Sequence, residues 1–305
     1  MTIATQPANP EHIKLGIIGL GNMGSSHCRL IESIDNIVLA AVCDIDSARL
    51  AKIVSRYGCR GYATSTELIN AGDCDAILVA TPHYDHTTIG IATLQAGLHL
   101  LVEKPISVHK ADCEKLIRAH RHPDKQVFAA MFNQRTNKHY QHIKQLIDSG
   151  ELGQVRRISW TITDWFRSQR YYDSGGWRAT WAGEGGGVLL NQCPHQLDLL
   201  HWLFGMPTAL RAQGKVGKHH NIEVEDDITC WLEYANGATG VFTTTTGEAP
   251  GINRLEIAAD RGLLVYDTAE GKITFLKNDI TVTQAIKDNG PFAKPKSTSI
   301  EFDII

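Results

Sequence analysis

The chain has 305 residues, 43% of them hydrophobic and 21% charged, with a formal net charge of −3; this is a globular composition with room for two domains, and it excludes a disordered or fibrous chain. No apolar run approaches the roughly 18 residues of a membrane span, Met1–Pro10 reads as a loose tail rather than a signal peptide, and no block of Lys and Arg offers a footprint for nucleic acid or an anionic membrane. The expected ligand is therefore small. The seven cysteines are odd in number and form no Cys-x-x-Cys pair, which argues for a reducing cytoplasm and against a zinc site or disulfide framework; the histidines, such as His219–His220 and His120/His122, lie in polar loop-like stretches, and no metal site is expected.

From Ile13 to about Asn133, short β-branched runs alternate with amphipathic stretches, the pattern of βαβ units around a parallel sheet. The spacing predicts a strand at Lys14–Gly19, a helix at Gly21–Ile34, a strand at Val38–Cys43, a helix at Ser47–Tyr57 and a strand at Ala76–Ala80. There follow a helix at His86–Ala96, a strand at Leu98–Val102, a helix at Lys110–His122 and a strand at Val127–Met131. A helix at about Asn137–Ser149 stops at Gly150, a C-cap residue. Beyond Gly153 the turns Asn236-Gly237 and Arg261-Gly262 favour antiparallel hairpins, Ala238–Gly247 is a Thr-rich strand, Ser299–Ile305 is strand-like, and helix signal is confined mainly to Val188–Phe204. The expected fold is α/β: a doubly wound parallel sheet in residues 1–134, then an α+β domain with a mostly antiparallel open sheet in residues 135–305.

Gly19-Leu20-Gly21-Asn22-Met23-Gly24 follows the first strand and opens the first helix, the context a Rossmann dinucleotide fingerprint requires. Gly19 permits the tight turn, Gly21 lets the backbone approach a pyrophosphate, and Gly24 lets helix and strand pack closely, while the helix N-terminus offers N–H groups to the phosphates. Asp44, 25 residues after Gly19, is placed to accept hydrogen bonds from an adenosine ribose and repels a 2′-phosphate, which favours NAD. Arg49 nearby softens that preference and leaves NADP open. The plain alternative is a glycine turn with a helix N-cap carboxylate.

Glu103-Lys104-Pro105 follows the strand at Leu98–Val102, at the carboxyl end where an open α/β sheet binds ligands. Together with Thr81-Pro82 and the run from Gly185 through Asn191 and His195 to Asp198, the chain from about Lys14 to Lys277 resembles the glucose-fructose oxidoreductase / inositol dehydrogenase / MocA family. The resemblance implies that Lys104 and His195 flank the nicotinamide and the reacting carbinol. It also implies cofactor contacts from Gly19, Gly21, Asn22, Met23, Gly24, Asp44, Thr81, Pro82, His86, Glu103 and Lys104. Residue chemistry agrees: oxidation of a secondary alcohol needs a base near neutral pH, which histidine supplies, and an ammonium can hold the alkoxide-like oxygen. Which of the two carries the proton is open. The family's usual aspartate four residues before the histidine is Asn191 here, an amide that can orient substrate but cannot raise the basicity of His195; Pro194 predicts a late start or kink in this helix, and Asp198 is either an orienting carboxylate or a structural ion partner.

Trp160–Trp181 concentrates Asp164, Trp165, Phe166, Arg167, Arg170, Tyr171, Tyr172, Trp177, Arg178 and Trp181 in a chain with only 7% aromatics. Such a stretch suits a sugar, with flat faces for ring C–H groups and planar donors for hydroxyls, and equally suits a core or subunit interface. The family's sugar and cyclitol substrates favour Arg167, Tyr171, Tyr172, Trp177 and Asn191 as substrate residues. His83 and His86 are read individually as structural. The functions expected are, first, an NAD(P)-dependent sugar or cyclitol dehydrogenase; second, a redox-assisted glycoside lyase or hydrolase that retains NAD; third, a non-catalytic dinucleotide-binding sensor. A homodimer or homotetramer is expected, and the chain reads as somewhat short for the family, whose second domain usually continues beyond a strand like Ser299–Ile305.

Overall fold

The structure is a computed structural model that describes residues 12–288 and 290–304; the tail Met1–Pro10 and the terminal Ile305 lie outside them. The chain divides into two compact units, one ending at Met131 and the other starting at Phe132.

The first unit alternates strand and helix: β1 Ile13–Ile18, α1 Asn22–Ile31, β2 Ile37–Cys43, α2 Ser47–Tyr57, β3 Arg60–Tyr62, α3 Ser65–Asn70, β4 Ala76–Val79, α4 Asp85–Gln95, β5 His99–Val102, α5 Lys110–Ala119 and β6 Phe128–Ala130. The strands form one parallel sheet in the order β3-β2-β1-β4-β5-β6, the doubly wound topology expected. Its central strands are continuous apolar runs because both faces are covered: Ile18, Ile77, Val79 and Val102 pack in one core, and Leu15, Ile17, Val42 and Leu78 in the other.

Two helices end earlier than the spacing predicts. The N–H groups of Glu32, Ser33 and Ile34 turn back to the carbonyls three residues before them, a tightening that closes α1 at Ile31. In α5 the residue before Pro123 is His122, which disfavours helical backbone. β3 and α3 were not expected. Three and six residues are too few for a period to show, yet Thr64 and Glu67 form a complete capping box that marks α3 in the sequence.

The second unit contains α6 Lys138–Asp148, β7 Val155–Ile162, α7 Gln169–Asp173, α8 Pro194–Phe204, β8 Ala209–Val216, β9 Glu225–Glu233, β10 Thr239–Thr245, β11 Asn253–Ala259, β12 Gly262–Asp267, β13 Lys272–Asn278, α9 Val282–Asp288 and β14 Ser297–Phe302. Its eight strands run β14-β13-β12-β11-β7-β10-β9-β8, antiparallel except for the β7–β10 pair. The predicted turns are present: Gly237 adopts φ 83° between β9 and β10, and Ala259 pairs with Gly262 where β11 turns into β12. Alternate residues of these strands, among them Ile158, Trp160, Phe242 and Leu255, form one core with Tyr140, Ile143 and Leu146 of α6 and Leu199 and Leu203 of α8.

The helix expected at Val188–Phe204 starts only at Pro194. The preceding stretch is pinned to the start of β9: Glu225 accepts hydrogen bonds from Gly187 N and Leu189 N through its carboxylate and from Val188 N through its carbonyl. A Cβ on Gly187 would collide with the Glu225 carbonyl oxygen. Tight turns then bring Asn191 N back to Gly187 O and Cys193 N back to Val188 O, and Pro194, which has no N–H to donate, begins the helix. Asn191 and His195 therefore do not share a helix face.

Candidate active site

The glycine loop is set by contacts with its own backbone. Gly19 has φ 91°, and a Cβ there would stand 2.7 Å from Ala80 O; a Cβ on Gly24 would overlap Gly19 O. These two glycines are needed by the fold itself. Gly21 differs, because a Cβ there would meet nothing within 4 Å, so its bare backbone leaves a cradle for a close approach from outside. As the N-cap of the ten-residue α1 it gives no side-chain cap, and the first turn carries no acidic residue. The free N–H groups and the positive end of the helix dipole are thus available to a phosphate. Beside the loop, the buried Thr81 Oγ1 at the end of β4 has no partner. The open approach at Gly21, an uncapped helix N-terminus and an orphaned hydroxyl fit a dinucleotide; Asn22, Met23 and Pro82 lie exposed around them.

Glu103, Lys104 and Pro105 leave the end of β5 through a cis Lys104-Pro105 bond, braced from two helices. From α1, His27 Nε2 lies 2.6 Å from Glu103 Oε1, while Glu103 Oε2 accepts the Lys104 N–H at 3.2 Å. Burial pushes the Glu103 carboxyl up, but the hydrogen bond and charge of His27 and the Lys104 N–H outweigh it and leave the group below its ordinary range. From α4, His86 Nδ1 lies 2.7 Å from Pro105 O and Nε2 lies 2.9 Å from Thr81 O. Burial lowers the His86 pKa in spite of these carbonyls, so the ring is neutral and donates its single N–H to one of them while packing against the other. The His86 ring is 0% exposed; it braces the Thr81 and Pro105 loops from beneath rather than reaching a ligand. His27 escaped the sequence reading, although its place three residues after Gly24 puts it on the inner face of α1.

In the second unit His195 stands in the first turn of α8, edge-on to Phe132 with ring centroids 6.2 Å apart. Asp198 does not orient it: this carboxylate takes a bidentate pair from Arg135 at 2.6 and 2.7 Å. Asn191 Nδ2 donates to Glu184 Oε1, and Glu184 Oε2 accepts the Ala179 N–H at 2.7 Å. Glu184 is 1% exposed. Its carboxylate fixes the Asn191 amide with the NH2 group inward, a partner that no motif or spacing announces.

The aromatic stretch separates into three layers. Trp160 and Tyr172 are interior: Trp160 Nε1 donates to Asn253 Oδ1, and Tyr172 shares a hydrogen bond with Thr246 Oγ1 and has its phenol pushed up to about 12 by burial. Tyr172 is therefore a packing residue, a correction to its expected place at the substrate. Arg167 lies over Trp165 and Tyr171, and Arg178 over Tyr171 and Trp177, with Tyr171 Oη accepting from Arg178 and Gln192. Phe166 and Trp181 are exposed. Arg167, Tyr171, Arg178 and Trp177 thus form one ladder of cation–π contacts.

Arg167 is held from behind by a residue set the sequence did not reveal. His220 Nε2 lies 2.8 Å from Arg167 O and its Nδ1 2.9 Å from Asp226 Oδ2, and the fully buried Asp226 also accepts the N–H groups of Lys218, His219 and His220. Burial raises the Asp226 pKa, but these donors outweigh it and hold the group below its ordinary value. Its folded pKa is depressed, so the associated stability is fully present above the unfolded value of about 3.9 and is lost as pH falls through the lower folded value. Asp226→Asn is expected to lower stability by about 2 kcal/mol at pH 7, with a smaller difference at pH 3. Denaturant melts at both pH values check this; equal losses at the two would contradict it.

Among the described residues no group of three or more His, Cys, Asp or Glu is placed to hold a metal, and no helix is long and apolar enough to cross a membrane.

Fold and loop together define a dinucleotide-type first unit joined in sequence to an α+β unit, and comparison with known proteins agrees. Residues 13–131 match the family described as "Oxidoreductase family, NAD-binding Rossmann fold", and residues 140–265 match the "GFO/IDH/MocA C-terminal domain". The chain belongs to the Gfo/Idh/MocA oxidoreductase family. It is 28% identical to an inositol 2-dehydrogenase of Salmonella paratyphi B over 63% of this chain and 54% of that protein, so it spans about half the length of that relative. It is 25% identical to a myo-inositol 2-dehydrogenase of Thermotoga maritima over 88% of this chain and 79% of the other. Among solved structures, the WlbA dehydrogenase of Chromobacterium violaceum, in complex with NADH and UDP-GlcNAcA, superposes with a TM-score of 0.79 at 31% identity, covering 87% of this chain and 76% of that one.

Proposed function

We propose that this chain is an NAD(P)-dependent dehydrogenase that interconverts a secondary hydroxyl and a ketone on a sugar, glycoside or cyclitol. The observation that carries the reading is the double brace on the Glu103–Pro105 turn beside the Gly21 cradle: two buried histidines and a buried carboxylate fix the backbone of one lysine. A solvated surface lysine has no need of such support. In this reading Gly19, Gly21, Asn22, Met23, Gly24, Asp44, Thr81 and Pro82 hold the dinucleotide, whose nicotinamide supplies hydride transfer when bound. Lys104 holds the carbinol oxygen by a charge-assisted hydrogen bond, and His195 takes the hydroxyl proton in oxidation and returns it in reduction. Asn191, Arg167, Tyr171 and Trp177 orient the ring. The named relatives, inositol 2-dehydrogenases and a dehydrogenase solved with NADH and a nucleotide sugar, support the substrate class. A panel of sugars, glycosides and inositols assayed with NAD and NADP at about pH 8.5 tests it: steady reduction of free cofactor by one panel member is the expected result, and none with any member would overturn the proposal.

In the same reading the protein is cytoplasmic and a homodimer or homotetramer. Its support is the second sheet: α6 and α8 cover one face, while the other presents Trp231, Val241, Thr243 and Val265 incompletely buried. Light scattering at micromolar concentration is expected to give a dimer or larger; a monomer would contradict it.

A further inference from the structure

Asp44, the expected ribose ligand, is already fully engaged. Its Oδ2 accepts Leu20 N at 2.7 Å and Arg49 Nη1 at 3.1 Å; its Oδ1 accepts Asp46 N at 2.8 Å and Arg49 Nη1 at 3.3 Å. A carboxylate offers about four lone-pair sites, so no acceptor is left for a ribose hydroxyl while Arg49 is in place. The two backbone donors belong to the loops themselves, which makes Arg49 the partner that can leave. Its side chain is 44% exposed against 5% for Asp44, and its other bond, to the half-exposed Asp46, is long at 3.4 Å.

Arg49 also lines a cleft of about 500 Å³ between α1 and α2, together with Leu20, Gly21, Arg29, Lys52 and Arg56. Four of the residues lining this cleft are cationic and none is acidic. Arg56 is paired with Glu32 only at a loose 3.8 Å. A cationic hollow that begins at the pyrophosphate cradle and ends beside the ribose ligand has the chemistry of a site for a phosphate monoester on that ribose.

Resting on the dinucleotide reading above, we propose that Arg49 sets cofactor choice: seated on Asp44 it cancels that charge and, with Arg29, Lys52 and Arg56, receives the 2′-phosphate of NADP; swung away, it frees Asp44 for the ribose hydroxyls of NAD. The chain thus takes both cofactors. Arginine serves the first state because its guanidinium has five donors, and Asp44 uses only those on one nitrogen.

The test is binding without turnover: calorimetric titration with 2′,5′-ADP and with 5′-ADP, and fluorescence titration with NADPH and NADH. The wild type is expected to bind 2′,5′-ADP more tightly than 5′-ADP. Arg49→Ala is expected to lower the NADPH-to-NADH affinity ratio by at least about tenfold, and Arg56→Ala, on the outer helix surface, to lower it in the same direction by less. A wild type that binds NADH but neither NADPH nor 2′,5′-ADP overturns the proposal, as does an unchanged ratio in both variants. Failure to bind NADH as well as NADPH would instead remove the dinucleotide reading and this proposal with it.

Discussion

Lys104→Ala is expected to reduce kcat/KM roughly 10²- to 10³-fold on whichever panel substrate the wild type turns over, with thermal stability unchanged to within about 0.5 kcal/mol. The separation of the two effects follows from the brace. Glu103 holds the turn through the Lys104 backbone N–H, and His86 packs between the Pro105 and Thr81 carbonyls, so truncating the lysine side chain leaves these contacts in place. His195→Ala is expected to cost about 10²- to 10⁴-fold and to flatten the acid limb of the pH–rate profile. In the proposed mechanism the two groups serve one proton-transfer step, so the double variant is expected to be little worse than the poorer single one. Glu103→Ala is the contrast: it leaves His27 buried without its carboxylate and is expected to lower stability by about 2 kcal/mol along with activity. Steady-state kinetics, NADH titration and denaturant melts on the same preparations distinguish the cases. Full activity in Lys104→Ala and His195→Ala would remove both residues from the mechanism.

The first unit was legible in the sequence because its signals are local. A strand covered on both faces must be apolar throughout, as Ile77–Val79 is, and Gly19 and Gly24 are demanded by backbone contacts that recur wherever a strand turns tightly into a helix. The Asn236-Gly237 hairpin is equally local. What escaped was tertiary. Asp44 looks like a free ribose ligand until Leu20 N, Asp46 N and Arg49 are seen to fill it, and no spacing rule joins His27 to Glu103 across 76 positions. Asp198 and Tyr172 have residue types suited to a sugar site, but Arg135 and Thr246 claim their polar atoms. Pro194 did signal the late start of α8; the Glu225 contacts that unwind the residues before it lie in another strand.

Asn191→Asp, which installs the aspartate usual in the family, is expected to harm this protein. Glu184 is 1% exposed and receives the Asn191 amide and the Ala179 N–H. The substitution removes a donor and sets a second carboxylate against the first. Two unit charges about 4 Å apart repel by about 4 kcal/mol at an effective dielectric constant near 20, so the pair retains a proton in the folded state and one carboxyl pKa rises. A carboxyl raised by folding destabilises at high pH: the loss relative to wild type is expected to be small near pH 4, to grow as pH rises above the unfolded value of about 3.9, and to level off above the raised folded value at roughly 2–4 kcal/mol. Activity at pH 8 is expected to fall rather than rise. The double variant Glu184→Gln/Asn191→Asp reverses the polarity of the contact: the introduced amide can donate an N–H to the introduced carboxylate while its carbonyl oxygen accepts the Ala179 N–H. It is expected to recover most of the stability. Denaturant melts from pH 4 to 8 on the three proteins decide the matter, and an Asn191→Asp variant as stable as wild type throughout would show that the Glu184 contact does not govern Asn191.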